Sequence, residues 1–322
     1  MANSDLTCPE AGLERPAGST TLDSLANELI LLILSNFCLH CREGPRETPH
    51  AYFPATGQRR HEPSWYALDI SALHSMSLVS RRFSSLAHEI LYHEFAPGYG
   101  DSWYSMEFEW YWRLEPFLRT VASNPDRAAL VKRVHVNINL LCCVTEYLGE
   151  RTEMVLRDAA RARGIDVADF VGPFRALQQP VYPDRYRPGA DELLGMLLAC
   201  LPQLKSLSLS WGAPLCGVPA SALRIAGVSS LPLETLDITC CDEMTGARLD
   251  GILELASSTI RNLYLEICDG HGLRLLTRHG PFPNLRNLCI ANDRHSGSEL
   301  TPFLSRCVNL ETFSYESGGS RA

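Results

Sequence analysis

One pattern constrains this chain more than any other. The motif apolar-x-x-apolar-x-apolar recurs through its second half at a nearly fixed interval. It reads Leu204, Leu207, Leu209; then Leu233, Leu236, Ile238; then Ile260, Leu263, Leu265; then Leu285, Leu288, Ile290; and finally Leu310, Phe313, Tyr315. The first positions of successive units are offset by 29, 27, 25 and 25 residues. A unit of this length, within the ~20–29 residues of one known repeat class, is too small to bury its own apolar face. Stacked neighbours close a continuous core between them. The alternation at the end of each unit predicts a short strand. Residues 248–257 and 270–278 are expected to form helices of an outer layer. Val131, Val134 and Val136 fit the same template, so an early, irregular unit is expected before the array. The expected fold class is α/β.

Residues between the apolar positions should face away from that core. They form a middle column of His135, Ser208, Asp237, Tyr264, Cys289 and Ser314, flanked by Asn137, Ser210, Thr239, Glu266, Ala291 and Glu316. The resulting face is polar and mildly acidic. A solvated sheet surface accounts for such a face, and so does a partner-binding groove. In the second case Asp237, Tyr264, Glu266 and Glu316 are the contact candidates, and the acids suit a basic peptide.

The first half of the chain is patterned differently. Residues 1–21, with Gly, Pro, Ser and Thr and little periodicity, are expected to be a disordered tail. Residues 22–95 hold two helix-forming segments separated by an insertion at about 38–68. In the first, Leu25, Leu29 and Leu32 make one apolar stripe, and Ile30, Ile33 and Leu34 make another. Apolar residues nearly all round predict burial on more than one side. Asp23 and Ser24 are candidate caps. The insertion carries Pro45, Pro49, Pro54 and Pro63 and is expected to be a surface loop. Beyond it, with Asp69 or Ser71 as cap, Val79, Phe83, Leu86 and Ile90 recur at helical spacing.

Residues 96–128 connect the halves and are rich in aromatics: Tyr99, Trp103, Tyr104, Phe108, Trp110, Tyr111 and Trp112. These fit packing at a domain junction, or an exposed binding hot spot. Residues 113–123 are expected to be helical, with Asn124-Pro125 as the stop. Residues 147–163 and 191–201 are also expected to be helical. Pro173, Pro180, Pro183 and Pro188 predict an irregular connection between them. Residues 129–322 form the expected repeat domain.

Two stretches carry a resemblance. The helix containing Leu25-Ala26 and Glu28-Leu29, with the string Leu78-Val79-Ser80-Arg81-Arg82-Phe83, resembles the F-box, especially that of filamentous fungi. The repeats resemble leucine-rich repeats, with Cys241 and Cys268 at the position where that type tends to carry Asn or Cys. In the F-box pattern a Leu-Pro pair opens the first helix, and here Leu25-Ala26 stands for it. Ala26 lacks the preset φ of proline at a first helical turn. A Val-Cys-x-x-Trp group lies in the third helix, and here Val79 to Phe83 stands for it with an aromatic anchor kept. The resemblance implies a helical F-box followed by a short, irregular leucine-rich-repeat solenoid. It implies a substrate-recognition subunit of an SCF-type cullin–RING ubiquitin ligase. Leu25, Ala26, Leu29, Ile33, Leu34, Leu78, Val79 and Phe83 would contact the Skp adaptor and, through it, a cullin. The repeats would hold an unknown target protein and raise its local concentration. The alternative is a repeat-based interaction scaffold without a ubiquitin role, its first helices serving as a cap.

Other classes find little support. A formal net charge of -8 argues against a nucleic-acid partner. No apolar run approaches the ~20 residues of a membrane span. No nucleophile elbow, phosphate loop or dinucleotide fingerprint occurs, so no enzyme activity, catalytic residue or cofactor is expected. The amino end shows no basic region followed by an apolar core, so the twelve cysteines are expected as free thiols in cytoplasm or nucleus. Cys38 and Cys41 form a C-x-x-C with His40, His50 and His61 nearby. A zinc site needs four ligands. No second pair has tight spacing, so no metal site is expected. Adjacent pairs such as Cys142-Cys143 and Cys240-Cys241 point to opposite strand faces and suit small packing roles.

Overall fold

A computed structural model describes residues 22–42, 65–97, 99, 113–137, 149–177, 189–210, 217–240, 250–267, 272–293 and 297–317. Among the described residues, seven parallel strands follow one another across a single sheet in the order of the chain. They are β1 (Glu94–Phe95), β2 (Arg133–Asn137), β3 (Ser206–Ser210), β4 (Thr235–Cys240), β5 (Asn262–Ile267), β6 (Asn287–Asp293) and β7 (Thr312–Ser317). Parallel neighbours need a crossover, and helices supply it. Before the sheet lie α1 (Asn27–Ser35), α2 (Trp65–Ser77) and α3 (Arg81–Leu91). Between strands run α4 (Leu114–Ser123), α5 (Pro125–Leu130), α6 (Gly149–Ala162), α7 (Val167–Leu177), α8 (Ala190–Cys200), α9 (Ala220–Ile225), α10 (Asp250–Ala256), α11 (Gly272–His279) and α12 (Gly297–Leu304).

The sequence repeat and the strand register coincide. Val134, Leu207, Leu236, Leu263, Leu288 and Phe313 pair in one row, and Val136, Leu209, Ile238, Leu265, Ile290 and Tyr315 in the next. From β2 to β6 these rows are buried, in one core with Leu193, Leu197, Leu223, Leu253 and Leu276 of the helices. The first apolar position of each unit, Leu204, Leu233, Ile260 or Leu285, closes that core from just before its strand. The irregular early unit is present as β2.

A column of carbonyls joins the units. The His93 carbonyl accepts from the amides of Lys132 and Arg133, at 2.7 and 3.1 Å. The Lys132 carbonyl accepts from Lys205 and Ser206, and that of Lys205 from Glu234 and Thr235. Glu234, Arg261 and Arg286 repeat the arrangement toward β7. Each carbonyl has two lone pairs, so one acceptor satisfies two amides.

The first three helices pack a separate core. Ile30 and Leu34 of α1, one turn apart on one face, meet Leu73 of α2 and Phe83, Leu86, Ala87 and Ile90 of α3. Ser80 caps α3 by accepting from the Phe83 amide at 3.3 Å. A 3₁₀ turn, Leu22–Ser24, precedes α1, and its N-cap is Ala26, which offers no side-chain acceptor. Arg82 compensates. Its guanidinium donates to Asn27 Oδ1 at 2.8 Å, to the Asp23 carbonyl at 2.6 Å and to the Leu25 carbonyl, and so ties α3 to the start of α1.

Several expectations need revision. Within the insertion expected at 38–68, residues 38–42 form a turn, and α2 already starts at Trp65. Asp69 lies inside α2 rather than capping it, and its carboxylate pairs with Arg42. α7 occupies part of the stretch expected to be irregular, with Pro173 inside the helix. α4 ends at Ser123, where Asn124-Pro125 was expected to stop it, and what the sequence did not suggest is that Pro125 then opens α5, with Asn124 as its cap. The aromatics at 103–112 and the tail at 1–21 lie outside the described residues. Among the described residues no helix is long and apolar enough to cross a membrane.

Candidate functional site

The open face of the first three helices is the first candidate. α1 turns Ile30 and Leu34 inward and leaves Leu29, Leu32 and Ile33 exposed. α2 exposes Leu68, and the α2–α3 corner exposes Leu78 and Val79, at 74% and 61%. Among the described residues, the expected cover of α1 on more than one side is met on one side only. Scattered exposed leucines are ordinary, whereas large apolar side chains gathered on one small helical unit mark an interaction surface.

Two of the proposed adaptor contacts are not on that face. Leu34 and Phe83 are 1% and 2% exposed and belong to the core of the three helices. The reason is spacing: Phe83 faces inward with Leu86 and Ile90, whereas Leu78 and Val79 fall in the turn before α3. Leu25 is half-buried and packs at the edge of that core, and Ala26 is exposed at the α1 N-cap. Leu29 and Ile33 are open. Arg82 was not expected to have a role, and the Arg-Arg doublet before Phe83 was its only trace in the sequence.

The outward face of the sheet is the second candidate. Its middle column is in register as expected, with Ser208 beside Asp237, Asp237 beside Tyr264 and Tyr264 beside Cys289. It is not uniformly solvated. His135, Ser208 and Asp237 are buried, at 3%, 3% and 7%. The Ser208 hydroxyl donates to Asp237 Oδ2 at 3.5 Å. Tyr99 packs edge-on against His135 at 6.3 Å between centroids, and Arg133 lies over the Tyr99 ring at 5.6 Å. Burial, helped by Arg133, pushes the His135 imidazole down to about 3, so it is neutral at physiological pH. Asp237 is thus removed from the open contact set. Tyr264 and Glu266 are half-buried on β5. Glu316 falls in β7, and its side chain is outside the described set.

A third grouping lies where the helices meet the sheet. Cys38, His40 and Cys41 come together with His93, which follows α3 and directly precedes β1. The expectation of no metal site rested on the missing fourth ligand. His50 and His61 lie outside the described residues, and the fourth ligand-type side chain comes from 52 residues beyond Cys41. The Cys38 thiol hydrogen-bonds to Cys41 and holds the Cys41 thiol well below its ordinary range; His40 and His93 add to this. Cys38 is correspondingly pushed up.

A scan against protein-family models gives no match for this chain, and a search of the curated proteins finds no similar one.

Proposed function

We propose that the chain is a substrate receptor of an SCF-type cullin–RING ubiquitin ligase, an F-box followed by leucine-rich repeats. The observation that carries this reading is the exposure of Leu29, Leu32, Ile33, Leu68, Leu78 and Val79 on these three helices. These helices already have a closed core on the other side, so their exposed side chains are surplus to folding. Burying one such side chain contributes ~1.5–3 kcal/mol, so a partner covering several gains substantial affinity. On this reading the Skp adaptor covers that face, and the cullin is reached through it. The sheet, with Tyr264 and Glu266 on its more open half, holds the target. The chain makes and breaks no bond itself.

The test is capture of the Skp adaptor by the purified full-length chain. Leu78→Asp and Leu29→Asp are each expected to weaken capture roughly tenfold or more, because an unpaired charge enters a buried apolar contact. Val308→Asp, at an exposed site near the far end of the sheet, is the control and should leave capture unchanged. Equal capture by all four proteins removes the assignment.

One observation favours a second reading, a repeat scaffold whose first helices are a cap. The His93 carbonyl, between α3 and β1, continues the inter-unit column, and on this second reading the helices before it serve as the cap of the first edge of the sheet. That reading leaves the exposed leucines without a purpose and predicts no adaptor capture.

A further inference from the structure

Four side chains of ligand type converge at the seam between the helices and the sheet. Cys41 Sγ lies 3.1 Å from His93 Nδ1 and 3.6 Å from His40 Nδ1, and Cys38 Sγ lies 4.0 Å from His93 Nδ1. All four ligand atoms fall within 4.8 Å of one another. A tetrahedral zinc ion, with Zn–S near 2.3 Å and Zn–N near 2.0–2.1 Å, separates its ligand atoms by roughly 3.3–3.8 Å. The observed separations bracket that range, so an ion enters once the widest pair closes by up to about 1 Å. We propose that Cys38, His40, Cys41 and His93 form a closed, structural zinc site that staples the end of α1 to the start of the sheet.

The surroundings are built to hold these ligands. The turn that carries Cys38, His40 and Cys41 is fixed from both sides. Its Leu39 and His40 amides donate to the two carboxylate oxygens of Glu94, each at 3.0 Å. The Cys41 amide donates to the Cys38 sulfur, and the Arg42 amide to the Cys38 carbonyl at 3.1 Å. Glu94 is buried and also takes a hydrogen bond from Tyr66, so both its oxygens are engaged in positioning the turn. His93 is held from the other direction by its carbonyl, the first in the column that runs across the sheet. One residue, Glu94, thus fixes the loop that supplies three ligands, and its neighbour supplies the fourth.

The donor set selects the ion. Two thiolates and two imidazoles are soft to borderline ligands in a tetrahedral frame, which suits zinc and not calcium or magnesium. Two thiolates and one Zn²⁺ sum to zero charge, which suits a site whose members range from buried to exposed. All four positions are taken by protein, so the ion has no open place for water or substrate and its role is mechanical. The C-x-x-C follows the end of a helix, unlike redox dithiols activated at a helix N-terminus. The site stands independently of any adaptor.

The test uses the full-length chain purified without chelator. Elemental analysis is expected to find about one zinc per chain. Cobalt(II) in its place should give the ligand-field bands of a four-coordinate thiolate site. Cys41→Ser and His93→Ala should lose most of the metal, and Cys289→Ser, on the sheet face, should keep it. If His93→Ala fails to fold, His93→Cys should retain the ion and strengthen the sulfur-to-cobalt charge-transfer band. Wild-type protein without stoichiometric metal and without the cobalt bands overturns the proposal. Zinc retained by both Cys41→Ser and His93→Ala, or a Cys38–Cys41 disulfide in the purified chain, overturns it equally.

Discussion

Asn287 donates from its side-chain amide to Asn262 Oδ1 at 2.6 Å, bridging β6 and β5 at their first positions. The contact is one rung of a ladder. Asn262 donates in turn to Thr235 Oγ1 at 3.1 Å, and Thr312 donates to Asn287 Oδ1. The four residues occupy equivalent places in successive strands. Asn287→Ala breaks two rungs and leaves Oδ1 of the buried Asn262 without its donor. It is expected to lower stability by about 1–2 kcal/mol in urea unfolding. Thr312→Val, at the exposed end of the ladder, should cost less.

The two kinds of apolar residue in the first helices make opposite predictions. Phe83→Ala empties a buried site and should cost roughly 3–5 kcal/mol. Leu78→Asp alters an exposed corner and should change stability by no more than about 0.5 kcal/mol. Thermal melts of the two variants check this. A large loss for Leu78→Asp would mean that the corner is covered by its own chain.

Arg82 is expected to matter through geometry as much as charge. Arg82→Ala frees three oxygens at the start of α1 and should cost about 1–2 kcal/mol. Arg82→Lys should recover little, because a single ammonium cannot span acceptors spread along a fork. Hydrogen exchange should show faster exchange in the first turn of α1 in both variants, with the sheet amides unchanged.

Gly251 lets α10 lie close against the backbone of a neighbouring unit. A Cβ there would lie 2.0 Å from the Val218 carbonyl oxygen and 2.5 Å from the Ala220 amide nitrogen. Backbone cannot yield as a side-chain tip can. Gly251→Ala is expected to cost at least about 2 kcal/mol, measured by denaturant midpoint.

His135 makes the fold sensitive to acid. Its folded pKa is lowered to about 3, against an ordinary value of 6.5. Between those values the unfolded chain takes up a proton that the folded chain refuses. The stability present above the ordinary histidine range is therefore lost as pH falls below it, by up to about 1.4 kcal/mol per pH unit. His135→Gln removes that proton uptake. Its unfolding free energy should fall less steeply than that of the wild type between pH 6.5 and 4, and an unchanged slope would refute the assignment.

The sheet was legible because its signal is local and repeated. Leu207, Leu236, Leu263 and Leu288 hold the same place in each unit, and stacking turns that place into a row. The strand register therefore follows from the sequence spacing alone. β1 was not legible, because two residues carry no periodicity. The side of α1 that faces inward was only half legible. Ile30, Ile33 and Leu34 look alike in the sequence, and only packing against Phe83 separates Ile33, which stays open, from the other two. Asp237 looked solvent-facing by strand alternation, yet its end of the face is buried. The alternation names a face and not what lies over it. His93 escaped notice for the same reason as most metal ligands distant in sequence: spacing rules register pairs, and the fold supplies the rest.

The doubled acceptance along the carbonyl column has a bearing on how such a chain changes length. Every unit brings one oxygen that serves two amides and two amides that need one oxygen. Deleting a whole unit, from Glu234 to just before Arg261 for example, would leave the Lys205 carbonyl facing the amides of Arg261 and Asn262. A duplicated unit would slot in on equal terms. The seam is thus self-templating, and units of 25 and 29 residues coexist because variation in length is confined to the crossover side, away from the joint.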